Sequence, residues 1–313
     1  MGVASQSQLQ WLLGTSLKNY TAWAIKHGYS PVVDEIGEGA RLLWVGERRY
    51  DRVILYIPGG GFVLPIYAEL IDFVRHLQCD IGHGKTGLRV GVAILDYGLA
   101  PDVQFPTHLR QANIALSHLF SAGVSPQDLQ IVADSAGGII ALQVLSHALH
   151  PKALDSIPRS PLAAMNDGST PRLKGIYLIS PGVYHDVAHQ SACVVENGAH
   201  DIMSAACYWY WCGCIPSAPR EKRPFIEAAT APLGWFNGTE RLVERVLVTA
   251  GQFEIMRDHI VDFCSAHLAN VKQSTMHVVK GGVHGDPILI VGQPEGTDVT
   301  RMVVGWLKVG FDH

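Results

Sequence analysis

Positive charge is scarce in this sequence, and no long apolar run interrupts it. The 313 residues include 24 Lys and Arg against 28 Asp and Glu, which gives a formal net charge of −4 with neutral histidines. The lysines and arginines form no basic cluster, so binding to nucleic acid is not expected. No stretch has the roughly 20 predominantly apolar residues that a membrane-spanning helix needs. We therefore expect neither a nucleic-acid partner nor a membrane span.

Cysteine is also sparse, and its spacing differs from that of a metal site. The six cysteines include Cys207, Cys212 and Cys214, which lack the paired Cys-x-x-Cys pattern of zinc sites. We interpret the cysteines as free thiols in a reducing compartment and expect no bound metal. The N-terminus has no basic region followed by an apolar core, so no signal peptide is predicted. A cytoplasmic location is expected.

The distribution of apolar residues predicts an α/β protein. Apolar residues make up 48% of the chain, enough for one large buried core. Short apolar runs alternate with longer helix-like segments, which predicts a mostly parallel sheet within one domain spanning residues 1–313. The predicted strands are Arg41–Val45, Arg52–Ile57, Arg89–Leu95, Gly175–Ile179, Arg245–Ala250 and Thr275–Lys280. The predicted helices are Leu9–His27, Tyr67–Cys79, Thr107–Ser121 and Ile139–His150.

A serine ends one apolar run, in the stretch Ile131-Val132-Ala133-Asp134-Ser135-Ala136-Gly137-Gly138. Small residues lie two positions before and two positions after it, and a helix-like segment follows. This is the arrangement of a nucleophile elbow, a sharp strand-to-helix turn that exposes a serine hydroxyl at the top of a sheet. The same short pattern also occurs before ordinary helices. Ser135 is the predicted nucleophile.

A glycine-rich loop, Pro58-Gly59-Gly60-Gly61-Phe62, follows the predicted strand Arg52–Ile57. Successive glycines allow backbone N–H groups to approach a ligand closely. The loop lacks the Gly-x-x-x-x-Gly-Lys-Ser/Thr and Gly-x-Gly-x-x-Gly patterns of phosphate-binding loops. In ester-cleaving sites, a loop at this place supplies part of the oxyanion hole. The N–H groups of Gly60, Gly61 and Ala136 are the predicted donors, with a plain turn as the alternative.

With Leu95-Asp96-Tyr97-Gly98-Leu99-Ala100-Pro101, these motifs resemble the hormone-sensitive-lipase-like branch of the α/β-hydrolases. Members carry His-Gly-Gly-Gly, Tyr-Arg-Leu-Ala-Pro-Glu and Gly-Asp-Ser-Ala-Gly-Gly in this order, and the resemblance extends from about Arg52 to about Pro287. The resemblance implies an α/β-hydrolase fold with a mostly parallel central sheet, flanking helices and a helical cap. The positions that depart from the family motifs are Pro58, Gly98, Asp102 and Ala133, in place of His, Arg, Glu and Gly. Pro58 removes an imidazole and a backbone donor from the loop.

In this fold, a catalytic acid and then a histidine follow the serine along the chain. Two carboxylates, Glu254 and Asp258, follow the predicted strand Arg245–Ala250. Glu254 is favoured, because it lies just past the strand, where family members have the acid. Asp258 is the alternative acid; it is expected on the first turn of the helix that runs through Leu268, where a carboxylate suits the helix dipole.

His284 is the predicted base among the 15 histidines of the sequence. It lies in a loop after the last predicted strand, Thr275–Lys280, whereas His277 alternates within that strand and is interpreted as structural. In the predicted mechanism, Glu254 orients His284, and His284 takes the proton of Ser135 as the serine oxygen attacks a carbonyl. The resulting acyl-enzyme is resolved by water or by another nucleophile.

Two segments fall outside the predicted sheet. They are residues 1–30 and residues 184–225, and the second contains the aromatic run Tyr208-Trp209-Tyr210-Trp211. The resemblance implies that such segments fold over the active site as a cap. Their apolar residues are then expected to line the substrate pocket and exclude water, with packing onto the core as the alternative. The predicted lining residues are Phe62, Tyr208, Trp209 and Trp211.

The resemblance implies a cofactor-independent serine hydrolase that acts on an ester or thioester of a small hydrophobic substrate. The chain is similar to fungal members associated with natural-product pathways. This similarity suggests a second hypothesis, in which the same triad releases, cyclises or rearranges a polyketide-like intermediate. A third hypothesis is a non-catalytic ligand receptor, like the gibberellin receptor of this family. That receptor lacks the triad histidine, so the presence of His284 disfavours this hypothesis. The sequence leaves a monomer and a homodimer open.

Overall fold

The structure is a computed structural model that describes residues 5–82, 89–166, 168, 170–185, 191–215, 218–269, 271–289 and 298–312. The parts of the predicted cap segments at residues 1–4, 186–190 and 216–217 lie outside the described residues.

The described residues form one sheet of eight strands in the order β1-β2-β4-β3-β5-β6-β7-β8. The strands are β1 (Val32–Gly37), β2 (Ala40–Trp44), β3 (Val53–Ile57), β4 (Gly91–Asp96), β5 (Leu129–Asp134), β6 (Leu173–Ile179), β7 (Val243–Gly251) and β8 (Ser274–Val279). β1 pairs with β2, and β2 with β4, in antiparallel orientation. All other neighbouring strands in this order, from β4 through β3 to β8, are parallel. The predicted α/β-hydrolase fold with its mostly parallel sheet is confirmed. The sequence analysis missed β1, an edge strand whose residues are only partly covered and show no apolar run.

Helices cover both faces of the sheet. Within the described residues they are α1 (Gln6–Leu13), α2 (Ser16–Lys26), α3 (Ala68–Gly82), α4 (Thr107–Ser121), α5 (Ser135–Leu149), α6 (Ala192–Asn197), α7 (Ala205–Cys214), α8 (Arg223–Ile226), α9 (Thr239–Leu242), α10 (Arg257–Phe263), α11 (Asp286–Leu289) and α12 (Asp298–Phe311). A π-helical turn at Cys264–Leu268 continues α10. In this part of the chain, no helix combines the length and apolar character needed to cross a membrane.

The core consists of two apolar layers, one on each face of the sheet. In β3, Val53, Leu55 and Ile57 belong to one layer, while Ile54 and Tyr56 belong to the other. This alternation follows from the two-residue period of a strand. Residues of α4, α5 and α10 complete the first layer, and residues of α2, α3 and α12 complete the second. Central strands buried on both faces account for the continuous apolar runs in the sequence.

α5 is the most deeply buried of the long helices. It contacts the sheet strands β3, β5 and β6 as well as α4, α8 and α9. Nearly all of its residues are buried, which explains why it is apolar on every side rather than along one stripe. Because neighbours hold the helix on several sides, the residue that begins it, Ser135, has a fixed position at the carboxyl end of β5.

The predicted helix Leu9–His27 is in fact two helices. Gly14 ends α1 with a φ of +77°, and the side chain of Thr15 then caps α2. The side-chain amide of Gln10 donates hydrogen bonds to the carbonyl oxygens of Val63 and Ala100, at 3.1 and 2.8 Å. The described part of the first predicted cap segment therefore lies against the chain just after the glycine-rich loop.

Two glycines of α12 provide a test of core packing. A Cβ at Gly310 would lie 2.5–2.7 Å from the amide of Gln130, which is fully buried and donates a hydrogen bond to Leu307 O. A Cβ at Gly305 would meet nothing within 4 Å. We expect Gly310→Ala to lower the free energy of unfolding by about 1–3 kcal/mol because the site is overpacked. The matched change Gly305→Ala should raise it by about 0.5–1 kcal/mol because alanine favours a helix interior.

Urea unfolding followed by circular dichroism measures both variants against the parent. Equal effects of the two substitutions would contradict the packing described for Gln130 and α12.

Candidate active site

Ser135 lies at a strained strand-to-helix turn. Its φ is +48°, a left-handed conformation that is uncommon for residues other than glycine and that occurs frequently at functional sites. Close packing imposes small residues around the turn. A Cβ at Gly137 would lie 2.0 Å from Ile57 O, so β3 and the elbow can approach only if this residue is glycine. The elbow predicted from the spacing of small residues is present.

A chain of hydrogen bonds runs from Ser135 through His284 to Glu254. Ser135 Oγ is 3.0 Å from His284 Nε2, and His284 Nδ1 is 2.8 Å from Glu254 Oε1. The three residues follow β5, β8 and β7, whose carboxyl ends meet at one edge of the sheet. The structure therefore brings together the serine, histidine and acid that the sequence predicts as catalytic.

Glu254 is completely buried, and its two carboxylate oxygens are both used. Oε2 accepts hydrogen bonds from Ser180 Oγ and from the backbone N–H of Gly251, each at 2.8 Å. Burial alone lowers the pKa of His284, but the hydrogen bond and charge of Glu254, together with the charges of Asp201 and Asp134, raise this pKa overall. His284 is thus a stronger base than an ordinary histidine.

Two residues that the sequence analysis did not identify hold Glu254 and His284 in place. Ser180 Oγ donates to Glu254 and accepts a hydrogen bond from Gly285 N at 3.1 Å. Asp201 accepts hydrogen bonds from His284 N at 2.8 Å and from Ile255 N at 2.9 Å, one through each oxygen. Asp201 thereby ties the segment between α6 and α7 to the loop that carries His284 and to the loop that carries Glu254. No motif marks either residue, although Ser180 directly follows a buried strand.

Asp258, the alternative acid, lies apart from this chain of hydrogen bonds. Its carboxylate accepts hydrogen bonds from Arg257 Nε at 2.9 Å and from Cys193 N at 3.2 Å. Burial raises the pKa of Asp258, but these donors lower it overall. Asp258 therefore holds α6 against the start of α10, whereas Glu254 occupies the place beside His284.

The glycine-rich loop lies beside the elbow with positive φ angles of +100° at Gly60 and +60° at Gly61. Within the described part of the chain, the N–H groups of these two glycines have no hydrogen-bond acceptor. Ala136 is in the first turn of α5, where helical N–H groups have no intrahelical partner. All three predicted oxyanion donors line the same cavity as Ser135.

The loop is braced without the histidine that Pro58 replaces. The carboxylate of Asp134 accepts hydrogen bonds from Gly59 N at 2.8 Å and from Tyr56 Oη at 2.6 Å. Tyr97 Oη donates to Pro58 O at 2.7 Å. Burial raises the pKa of Asp134, while the hydrogen bonds of Tyr56 and Gly59 lower it in part. These contacts hold the start of the loop.

A cavity of about 980 Å³, including its open mouth, lies above Ser135. Ser135, His284, the glycine loop and residues of α5 and α7 line it. The α7 residues that line it are Cys207, Tyr208, Trp211 and Cys212. Its lining is mostly apolar, which is typical of small-molecule sites. No residue of the first predicted cap segment, within 5–30, lines the cavity.

Two of the predicted lining residues lie elsewhere, which corrects the prediction. Phe62 is 5% exposed and turns away from the cavity with a φ of +63°, so its ring lies 4.7 Å from that of His108. Trp209 is 44% exposed, because successive helical residues point about 100° apart and its neighbour Tyr208 faces inward. Tyr208 and Trp211 do line the cavity.

Among the described residues, no group of three or more His, Cys, Asp and Glu side chains is arranged to hold a metal ion. All six cysteines are free thiols.

A serine at a strand-to-helix elbow, followed along the chain by an acid and a histidine, is the arrangement of the α/β-hydrolase class. A family model described as "alpha/beta hydrolase fold" matches residues 54–287, which are most of the sequence. The chain belongs to this family, and the predicted resemblance to its hormone-sensitive-lipase-like branch is confirmed.

The individual relatives have low sequence identity to this chain. An acetyl-hydrolase of Streptomyces hygroscopicus is 27% identical over 161 residues, which cover 51% of this chain and 45% of that protein. This chain therefore matches less than half the length of that relative.

Solved structures share the fold. A thermophilic and thermostable carboxylesterase cloned from a metagenomic library has a TM-score of 0.71 and 20% identity, covering 99% of both chains. An esterase from the bacterial hormone-sensitive lipase family has a TM-score of 0.71 and 18% identity, covering 100% of this chain and 94% of that one.

The two candidate acids can be separated by substitution. We expect Glu254→Gln to lower kcat by about 10³–10⁴-fold, because His284 loses its charged partner. Asp258→Asn should retain activity within a few-fold, because Asp258 does not contact His284. The measurement is steady-state ester hydrolysis by both variants, with their folding checked by circular dichroism. A larger loss in Asp258→Asn would contradict the assignment of Glu254.

The pH profile provides a second readout of the same pair. As the predicted base, His284 can accept a proton only when neutral. Its pKa is raised, so the acidic limb of kcat/KM should lie above pH 6.5, the ordinary histidine value. Removing the negative charge in Glu254→Gln should move this limb to lower pH. A limb that stays in place would show that Glu254 does not set the basicity of His284.

Proposed function

We propose that this protein is a serine carboxylesterase in which Ser135, His284 and Glu254 form the catalytic triad. The observation that carries the proposal is the continuous hydrogen-bonded chain from Ser135 Oγ to the buried Glu254 carboxylate, next to an open apolar cavity. The same series of hydrogen bonds favours catalysis over the hypothesis of a non-catalytic ligand receptor, because a receptor has no need of a base in contact with the serine.

The proposed reaction follows from the positions of these atoms. His284 Nε2 takes the proton of Ser135 Oγ as the oxygen attacks the ester carbonyl, and Glu254 stabilises the imidazolium that forms. The oxyanion accepts hydrogen bonds from the N–H groups of Gly60, Gly61 and Ala136. Each such donor typically contributes about 2.7–4 kcal/mol to transition-state stabilisation. Collapse expels the alcohol with the proton from His284, and water then hydrolyses the acyl-enzyme.

The proposed substrate is an ester with a small, mostly apolar acyl group. The support is the apolar lining of the cavity and its location between the elbow and α7. The relative from Streptomyces hygroscopicus is an acetyl-hydrolase, which is consistent with a short acyl group.

Within the described residues, α7 and the preceding residues Ile202 and Met203 line the cavity over Ser135, and we propose that they act as the cap. Trp211 packs directly on the glycine loop, since a Cβ at Gly61 would lie 2.5 Å from its ring.

A panel of p-nitrophenyl esters of increasing acyl length tests this proposal. We expect the parent protein to hydrolyse short acyl esters, and Ser135→Ala to lose activity by about 10⁵–10⁶-fold, as is typical for loss of a nucleophile. The matched control is Ser121→Ala at the exposed end of α4, which should retain full activity.

A fluorophosphonate probe should label the parent at Ser135 and leave Ser135→Ala unlabelled. Hydrolysis that persists in Ser135→Ala would contradict the assignment of the nucleophile. A folded parent protein that neither turns over any ester nor reacts with the probe would contradict the proposed function as a whole.

A further inference from the structure

His185 is a polar residue in the cavity that the proposed mechanism does not use. It lies in the chain after β6, and its side chain is only 8% exposed while lining the cavity above Ser135. Its Nδ1 atom is fully buried and has no hydrogen-bond partner among the described residues, whereas Nε2, also without a partner there, is not fully buried. The ring therefore has hydrogen-bonding capacity that the protein does not use.

The imidazole of His185 is close to the nucleophile. Gly182 N donates a hydrogen bond to Ser135 O at 3.0 Å, so this glycine lies directly beside the elbow. A Cβ at Gly182 would lie 3.2 Å from His185 Nε2. The imidazole therefore fills the space that the missing side chain of Gly182 leaves, on the cavity wall next to Ser135.

Other polar side chains of this wall already have partners inside the protein. Tyr208 Oη donates to Tyr184 O at 2.8 Å. Trp211 Nε1 donates to Cys207 Sγ at 3.0 Å. These groups contribute their apolar surfaces to the cavity, whereas His185 keeps its hydrogen-bonding capacity for a bound molecule.

The surroundings of His185 determine which kind of group it can bind. Burial, with a smaller effect of nearby His259, lowers the pKa of His185 to about 3, so the ring is neutral at working pH. Glu227 Oε1 lies 4.0 Å from Nδ1, too far for a hydrogen bond, and Glu227 itself is bound by Arg223 and by His185 N. A carboxylate on this side favours the proton on Nδ1. Nε2, near Gly182, then carries the lone pair and accepts a hydrogen bond.

We propose that His185 is a specificity-determining residue that accepts a hydrogen bond from a hydroxyl group of the substrate, close to the scissile ester. This inference rests on the proposed esterase function and narrows its substrate class to hydroxylated esters. The remaining cavity lining is mostly apolar, so the rest of the substrate is a small hydrocarbon skeleton. A bound ester without the hydroxyl excludes water from Nε2 but offers it no hydrogen bond, and is discriminated against for that reason.

Matched pairs of esters test the proposal and locate the hydroxyl. One pair carries it on the acyl group: p-nitrophenyl 3-hydroxybutyrate against p-nitrophenyl butyrate. The other carries it on the alcohol: 2-hydroxyethyl butyrate against propyl butyrate. The measured quantity is the ratio of kcat/KM within each pair, per active site titrated with a fluorophosphonate. We expect the parent protein to prefer the hydroxylated ester about tenfold or more in one pair.

His185→Phe keeps an aromatic ring but removes the acceptor. It should lower this ratio about tenfold, towards one, while His185→Gln, which retains an acceptor, should recover part of the preference. The matched control is His277→Phe on the exposed side of β8, which should leave the ratio unchanged. These ratios compare substrates on the same folded, titrated enzyme, so partial misfolding of a variant does not alter them.

A parent protein that shows no preference in either pair would overturn the proposal, as would a preference that survives in His185→Phe. Either result would leave the esterase function standing, because turnover of the unsubstituted esters is measured in the same experiment. Absence of turnover with every ester and absence of probe labelling would instead overturn the proposed function, and the role of His185 with it.

Discussion

The buried carboxylate of Glu254 is the interaction on which the rest of the site depends. An isolated charge at zero exposure is very costly, and it is tolerated only when hydrogen bonds and a partner charge compensate it. Here the donors come from the chain after β6, from the end of β7 and from the loop after β8: Ser180, Gly251 and His284. One carboxylate therefore fixes three loops relative to one another and raises the basicity of His284.

A second buried carboxylate, Asp134, has the corresponding role on the other side of Ser135. It links the end of β5 to the loop after β3 by accepting the hydrogen bond of Gly59 N. The close approach of Ile57 O to Gly137 fixes the same two segments sterically. The proposed base and the proposed oxyanion donors are thus positioned by separate groups. This separation explains how the loop keeps its place when proline replaces the family's histidine at position 58.

The sequence predicted those parts of the site that depend on local pattern and chain order. The elbow at Ser135 and the glycine loop follow from small residues in strained turns, and Glu254 follows from its position directly after a strand. Asp201 could not be predicted, because it acts across space from a segment without a motif. The errors at Phe62 and Trp209 have a related cause. Composition identifies an aromatic residue near the site, whereas a positive φ or one step of a helix decides where its ring points.

Trapping of the acyl-enzyme tests the central claim most directly, because the proposed network has one purpose, to make Ser135 Oγ a nucleophile. The protein is mixed with p-nitrophenyl acetate, quenched in acid within the first turnovers, digested and analysed by mass spectrometry. The account predicts an acetyl group on the peptide that contains Ser135, and none on that peptide in His284→Ala at the same reaction time. Rapid ester hydrolysis with no acyl group on Ser135, or an acyl group accumulating on another residue at the rate of turnover, would contradict it.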